Sequence, residues 1–247
     1  FDSFDIFRAA GFDNVNIDLM FAIPGQTMDV WRGTLREVMA MRPEHLSTYE
    51  VIYEEDTPLF EELRAGRISE DEDLACAMYD DLVEASAAAG LRRYEVSNFA
   101  RDMAPLKPSL NDPDYACRHN LNYWRGGQFH GIGPSATSYV GGVRTKNVAN
   151  TRIYCERIEC GRLPVESSEE LSPIRRAGET AAFGLRMAAG WPFHLFQEVT
   201  GFDLRKEWAG EMRELESRGW ALREPDRFRL TADGLRFADA AAELFLR

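Results

Sequence analysis

Apolar and polar residues alternate along residues 15–21. Val15, Ile17, Leu19 and Phe21 fall on one side, and Asn14, Asn16, Asp18 and Met20 on the other. A period of two predicts a strand with one greasy and one polar face. Before it, residues 1–10 carry a helical pattern closed by Gly11, a residue suited to the left-handed cap position. After it, Pro24-Gly25 predicts a turn, and Thr27 can cap the helix that follows. Trp31, Leu35, Val38 and Met39 share one stripe of that helix, and Pro43 ends it. A second strand is predicted over residues 45–53. Strand, helix and strand in this order predict a parallel pair. In a doubly wound sheet both faces are covered and strands read almost wholly apolar. A first strand that carries Asn16 and Asp18 fits a barrel whose interior holds a polar ligand.

Further along, Ser69-x-x-Glu72 has the form of a capping box opening a long helix, with Leu74, Met78 and Leu82 as its apolar stripe and Gly90 as its end. Residues 91–96 read as a short strand. Residues 101–117 are rich in Pro, Asp and Asn and read as a loop. An aromatic, glycine-rich stretch covers 119–147, with a hairpin of 138–140 and 143–145 around Gly141-Gly142. A short helix ending near Gly161 follows. Ser172-Pro173 opens a further helix in the favoured cap and first-turn positions. From there the pattern is three helices, a strand pair and a helix. Asp203 caps a helix carrying Leu204, Trp208 and Leu215 that ends at Gly219; residues 220–223 and 228–230 pair across Pro225-Asp226; Thr231 caps the last helix. That order is a winged helix. No internal repeat or low-complexity tract is present.

Composition narrows the function classes. The 247 residues carry a formal net charge of -12, which opposes general binding to phosphate backbones or anionic lipid. No apolar run approaches the ~20 residues that a membrane span needs. No signal peptide is recognisable. The chain does not begin with Met, and Phe1 already lies inside a helical pattern, so the N-terminus reads as a cut. Cys76, Cys117, Cys155 and Cys160 are irregularly spaced, which suggests reduced thiols in a cytoplasmic protein.

Three stretches carry a family resemblance. The run from Asn16 through Asp18 and Pro24-Gly25 to Thr27 is similar to the strand and turn opening the fifth βα unit of the radical-SAM barrel in the oxygen-independent coproporphyrinogen III oxidase group. Pro43-Glu44-His45-Leu46-Ser47-Thr48-Tyr49 is similar to its sixth strand. Cys117-Arg118-His119-Asn120-Leu121-Asn122-Tyr123-Trp124 contains His-Asn-x-x-Tyr-Trp, the signature of the haem-chaperone (HemW-type) branch, and Gly131-Ile132-Gly133-Pro134-Ser135-Ala136 follows at the familiar distance. The chain thus resembles the C-terminal portion of such a protein. The implied fold is α/β, in three parts. Residues 1–115 would be the last strands of a partial (β/α) barrel, 116–165 a linker bearing the signature, and 166–247 an α+β winged-helix domain. The first barrel strand here would then lack its preceding neighbour. Two departures stand out. The Cys-x3-Cys-x2-Cys cluster motif is absent, and Thr137 stands where the chaperone branch usually has His.

The resemblance implies roles residue by residue. Asp18 matches the carboxylate that binds the ribose of S-adenosylmethionine; the bland alternative is a strand-end Asp holding a backbone amide. Ile52 and Thr137 match positions beside the cofactor's adenosine, though aliphatic packing explains them equally well. His119 is the candidate axial ligand for haem iron, with Tyr123 and Trp124 covering the ring. His130 is a lesser candidate ligand. Cys117 reads as an inert thiol, and Cys155 with Cys160 as structural, since a single pair makes a poor metal site. The [4Fe-4S] cluster of the complete protein would be held by cysteines that this chain lacks. The implied function is to bind haem and deliver it to haem-dependent membrane enzymes. The rivals are the porphyrinogen decarboxylase itself and a winged-helix transcription regulator. The helix from Asp203 to Arg218 is net acidic, which counts against nucleic acid.

Overall fold

The computed structural model describes residues 2–103 and 112–247. The chain divides into two compact units, Phe1–Cys117 and Arg118–Arg247.

The first unit opens with α1 (Asp2–Ala9), β1 (Asn16–Phe21), α2 (Met28–Met41) and β2 (His45–Glu50). Gly11 takes φ +89, as a residue closing a helix in the left-handed region does. Thr27 Oγ1 accepts from the Val30 amide at 3.3 Å and caps α2. β1 and β2 run parallel, with Asn16 opposite His45 and Phe21 opposite Glu50. Then come α3 (Pro58–Arg64), α4 (Glu72–Ala88), β3 (Arg92–Arg93) and β4 (Asn98–Ala100). β4 lies antiparallel to both β2 and β3, giving a sheet ordered β1-β2-β4-β3. Leu19, Phe21 and Leu46 of one sheet face pack with Trp31, Leu35 and Val38 of α2 and with Met78 and Leu82 of α4. The Trp31 indole donates to the Met78 carbonyl at 2.8 Å, so the largest ring of this core buries no unpaired donor.

Four expectations change here. The second strand ends at Glu50 rather than continuing to residue 53. The cap of α4 is Asp71, whose Oδ1 accepts from the Leu74 amide at 2.9 Å, and not Ser69. The single strand over 91–96 is a two-residue β3 followed by a separate β4, which is too short to leave a periodic pattern. α3 occupies a stretch for which no element was expected. Part of the expected loop, residues 104–111, lies outside the described residues.

The second unit runs α5 (Arg118–Trp124), β5 (Thr137–Val140), β6 (Val143–Asn147), α6 (Thr151–Glu159), β7 (Val165–Glu170), α7 (Pro173–Gly184), β8 (Trp191–Pro192), α8 (Phe193–Thr200), α9 (Leu204–Glu207), α10 (Ala209–Ser217), β9 (Ala221–Arg223), β10 (Arg227–Leu230), a 3-10 turn (Gly234–Phe237) and α11 (Ala238–Glu243). β5, β6 and β7 form one antiparallel sheet, and β8, β10 and β9 another. Trp191, Phe196, Trp208, Phe228 and Phe245 are fully buried and meet in successive ring contacts. The Trp208 indole donates to the Phe245 carbonyl at 3.2 Å. The expected continuous helix from Asp203 is broken at Trp208, whose φ -121 and ψ 32 leave helical geometry.

Candidate functional site

The polar face of the first sheet carries a connected hydrogen-bond chain. Asn16 Nδ2 donates to Asp18 Oδ1 at 2.7 Å. The Asn16 carbonyl oxygen accepts from Ser47 Oγ at 3.1 Å and lies 2.6 Å from His45 Nδ1. A carbonyl can only accept, so the ring carries its proton on Nδ1. Nε2 then accepts from the Tyr94 hydroxyl at 2.8 Å, and Tyr94 in turn accepts from the Cys117 amide at 3.2 Å. His45 is 5% exposed, and burial pushes its pKa down to about 4, against a smaller opposing pull from Asp18. The neutral imidazole is therefore the resident form. The outcome is an exposed carboxylate, Asp18, braced by an amide that a buried ring holds in turn. Such a carboxylate can accept two neighbouring hydroxyls.

At the C-terminal ends of β1 and β2, a cavity of about 430 Å3 is lined by the 22–27 turn, Glu50, Val51, Tyr53 and residues 69–72. Partial burial, and then Glu70 and Glu72, raise the Glu50 pKa above the usual carboxylate range. Ile52 does not line this cavity. It is 73% exposed, so the aliphatic packing expected of it is absent among the described residues.

In the second unit the signature segment, for which no element was expected, is helical. His119 and Tyr123 stand one turn apart on α5, with ring centroids 4.7 Å apart and edge-on. Tyr123 stacks on Phe129 at 4.2 Å, and Phe129 on Tyr139 at 6.3 Å. Phe129 and Tyr139 also exchange backbone hydrogen bonds of 2.9 and 2.8 Å, which fixes this ladder of rings to β5. Trp124 turns the other way, towards Phe183 at 6.5 Å, under the Arg186 guanidinium at 5.0 Å. Tyr123, Trp124, Phe129, Tyr139 and Phe183 line a cleft of about 240 Å3, together with Arg144, Arg176 and Glu179. His119 and His130 are exposed. Gly131 lies so close to the Thr137 backbone that a Cβ there would overlap it. Thr137, half-buried, begins β5 in the second unit, whereas Asp18 and Ile52 belong to the first.

Of the residues singled out in the sequence, Tyr123 and Trp124 line this cleft and His119 does not; Phe129, Tyr139, Arg176 and Glu179 line it and were not singled out. The hairpin pattern could have signalled Tyr139, because it sits opposite Arg144 across the turn. The four cysteines are free: Cys76, Cys155 and Cys160 are exposed, and Cys117 is half-buried. Among the described residues no group of three His, Cys, Asp or Glu side chains could hold a metal ion, so they do not fit an iron–sulphur cluster. No described helix is long and apolar enough to cross a membrane.

No protein-family model matches the chain. It is 30% identical over 220 residues to the "Heme chaperone HemW" of Bacillus subtilis (strain 168), covering 89% of this chain and 55% of that protein. It is 34% identical over 185 residues to that of Mycobacterium tuberculosis (strain H37Rv), covering 74% and 45%. The chain is a homologue of the HemW proteins. It is also 29% identical over 185 residues to "Radical S-adenosyl methionine domain-containing protein 1, mitochondrial" of Danio rerio. The chain spans about half the length of these curated relatives. Its mixed α/β fold is that of the "Coproporphyrinogen III oxidase (HemN) from Escherichia coli", with a TM-score of 0.73 at 15% identity over 98% of this chain and 57% of that one.

Proposed function

We propose that this chain is the haem-handling portion of a radical-SAM haem chaperone, and that His119 is the axial ligand to the carried iron. The observation that carries the reading is the ladder of rings on α5 and β5. An exposed imidazole at 4.7 Å from Tyr123 stands at one end of it, and Phe129 and Tyr139 extend it. A neutral imidazole is a good ligand to haem iron, and aromatic rings give the macrocycle apolar cover. The exposure of His119 suits a carrier that must hand its cargo on. The recipients would be haem-requiring proteins, including membrane enzymes, and the chain would work in the cytoplasm.

In the same reading, the sheet of the first unit is part of a (β/α) barrel, residues 116–165 are the signature-bearing linker, and 166–247 form a winged-helix domain. Asp18, braced by Asn16, suits the ribose hydroxyls of S-adenosylmethionine, with Ile52 at the adenosine. That cofactor with a [4Fe-4S] cluster would supply radical chemistry, but the described residues offer no cluster ligands.

The test is a haem titration of wild type and His119→Ala, run beside an assay of coproporphyrinogen III decarboxylation. The variant should bind haem at least tenfold more weakly and lose the wild-type Soret position. Unchanged affinity and spectrum would remove His119 from the reading. Conversion of the porphyrinogen at an enzymatic rate would replace the chaperone reading with that of a decarboxylase, which the HemN-like fold also accommodates.

A further inference from the structure

Among the described residues, two hydrogen-bond donors of side chains that line the aromatic cleft have no acceptor. The indole N–H of Trp124 is shielded from solvent and, among the described residues, meets no acceptor. Proteins seldom leave a buried donor in that condition. The Arg176 guanidinium lines the same cleft and makes no hydrogen bond or ion pair among the described residues. The other cation there, Arg144, is already engaged: it pairs with Glu179 at 2.6 and 3.3 Å and with Glu169 at 3.0 Å. An incoming anion would therefore find its free charge at Arg176.

The hairpin turn makes room for that side chain. Gly142 has φ +86, and a Cβ there would run into the Arg176 guanidinium. Rings of Tyr123, Phe129, Tyr139 and Phe183 form much of the remaining wall, with Gly126, Gly127 and Thr180, while the Glu179 carboxylate there is neutralised by Arg144. At about 240 Å3 the cleft is smaller than the roughly 300–1,000 Å3 of pockets that engulf a whole small ligand. It suits the edge of a larger flat molecule. The chain as a whole carries a net charge of -12, so attraction for an anion must come from a local cation in a partly dry setting.

We propose that this cleft is a carboxylate subsite. It takes the carboxylate-bearing edge of a planar aromatic macrocycle, with the carboxylate accepting from the Arg176 fork and from Trp124 Nε1. A planar guanidinium between rings is well matched to a carboxylate, and better so than an ammonium. The macrocycle's identity rests on the haem reading above, in which the carboxylate is a propionate; the subsite itself does not depend on iron.

That independence gives the test. The 247-residue chain is titrated with iron-free protoporphyrin IX and with its dimethyl ester, followed by porphyrin fluorescence. Wild type is compared with Arg176→Gln, Arg176→Lys and Trp124→Phe, with circular dichroism as the check on folding. Wild type should bind the free acid at least tenfold more tightly than the diester. Arg176→Gln should abolish that preference, Arg176→Lys should restore part of it, and Trp124→Phe should reduce it severalfold. Gly142→Ala, which moves the guanidinium without removing its charge, should lower the preference too. Equal binding of acid and diester by wild type overturns the subsite, as does a preference that survives Arg176→Gln. The two readings fail separately: loss of haem binding in His119→Ala with no effect of Arg176→Gln keeps the ligand and sinks the subsite. The opposite pattern does the reverse, and a wild type that binds neither haem nor protoporphyrin IX sinks both.

Discussion

Replacing His45 by Gln should flatten the acid side of the first unit's stability profile. In the fold the ring is neutral, donating from Nδ1 to Asn16 and accepting from Tyr94, and its pKa is pushed from the ordinary 6.5 to about 4 by burial. Between those values the unfolded chain takes up a proton that the folded one refuses. Stability therefore falls as pH drops from about 6.5 to about 4, and this group contributes no slope outside that window. At about 1.4 kcal/mol per pH unit the whole window is worth roughly 3 kcal/mol, of which roughly 2 kcal/mol is lost between pH 7 and pH 4.5. Carboxylates titrate in the same range, so the useful quantity is the difference between wild type and His45→Gln. The assay is hydrogen exchange of the β1 and β2 amides, converted to an opening free energy at each pH. The variant starts lower at pH 7, because Asn16 and Tyr94 lose a well-fitted partner. The gap should then narrow by roughly 2 kcal/mol at pH 4.5. Parallel profiles from pH 7 to 4.5 would mean that His45 titrates as it does in water, and that the polar chain bracing Asp18 has been misread.

Two substitutions in the second unit test its core. Gly184→Ala places a methyl group on the buried Trp191 indole, which donates to the Thr180 carbonyl at 3.1 Å; urea denaturation should register a loss of about 1–3 kcal/mol, and a neutral result would show that the ring can shift. Trp208→Phe removes the donor to the Phe245 carbonyl and should lower stability by about 1–3 kcal/mol, visible in the same experiment. An unaltered midpoint there would mean that the carbonyl finds another donor.

The elements legible in the sequence were those with a strong local cause. The alternation of Ile17, Leu19 and Phe21 gave β1 and its buried face, Thr27 set the start of α2, and Gly141-Gly142 marked the hairpin. What stayed hidden is held by partners distant in sequence. β7 reads VESSEE, with almost no apolar alternation, and is a strand because β6 supplies its hydrogen bonds. α5 has seven residues, rich in aromatic and amide side chains that carry no helical stripe. Ser69 and Asp71 both resemble caps; the carboxylate, a stronger acceptor than a hydroxyl, is the one that reaches the Leu74 amide. At the cleft, Tyr123 and Trp124 could be singled out because they sit together in one short motif. Arg176 and Glu179 come from a helix some 50 residues later and enter the cleft only through tertiary packing.

β1 ends the sheet order, and among the described residues nothing pairs with its outer side. Its six residues thus present a line of amides and carbonyls roughly 20 Å long that a further strand can pair with. Asp18 and Asn16 are exposed on this strand, so in the 247-residue chain a charge stands beside that edge, where charges oppose edge-to-edge pairing. Neutralising it should change colloidal behaviour: the 247-residue chain carrying Asp18→Val should sediment as larger species at concentrations where the wild type does not.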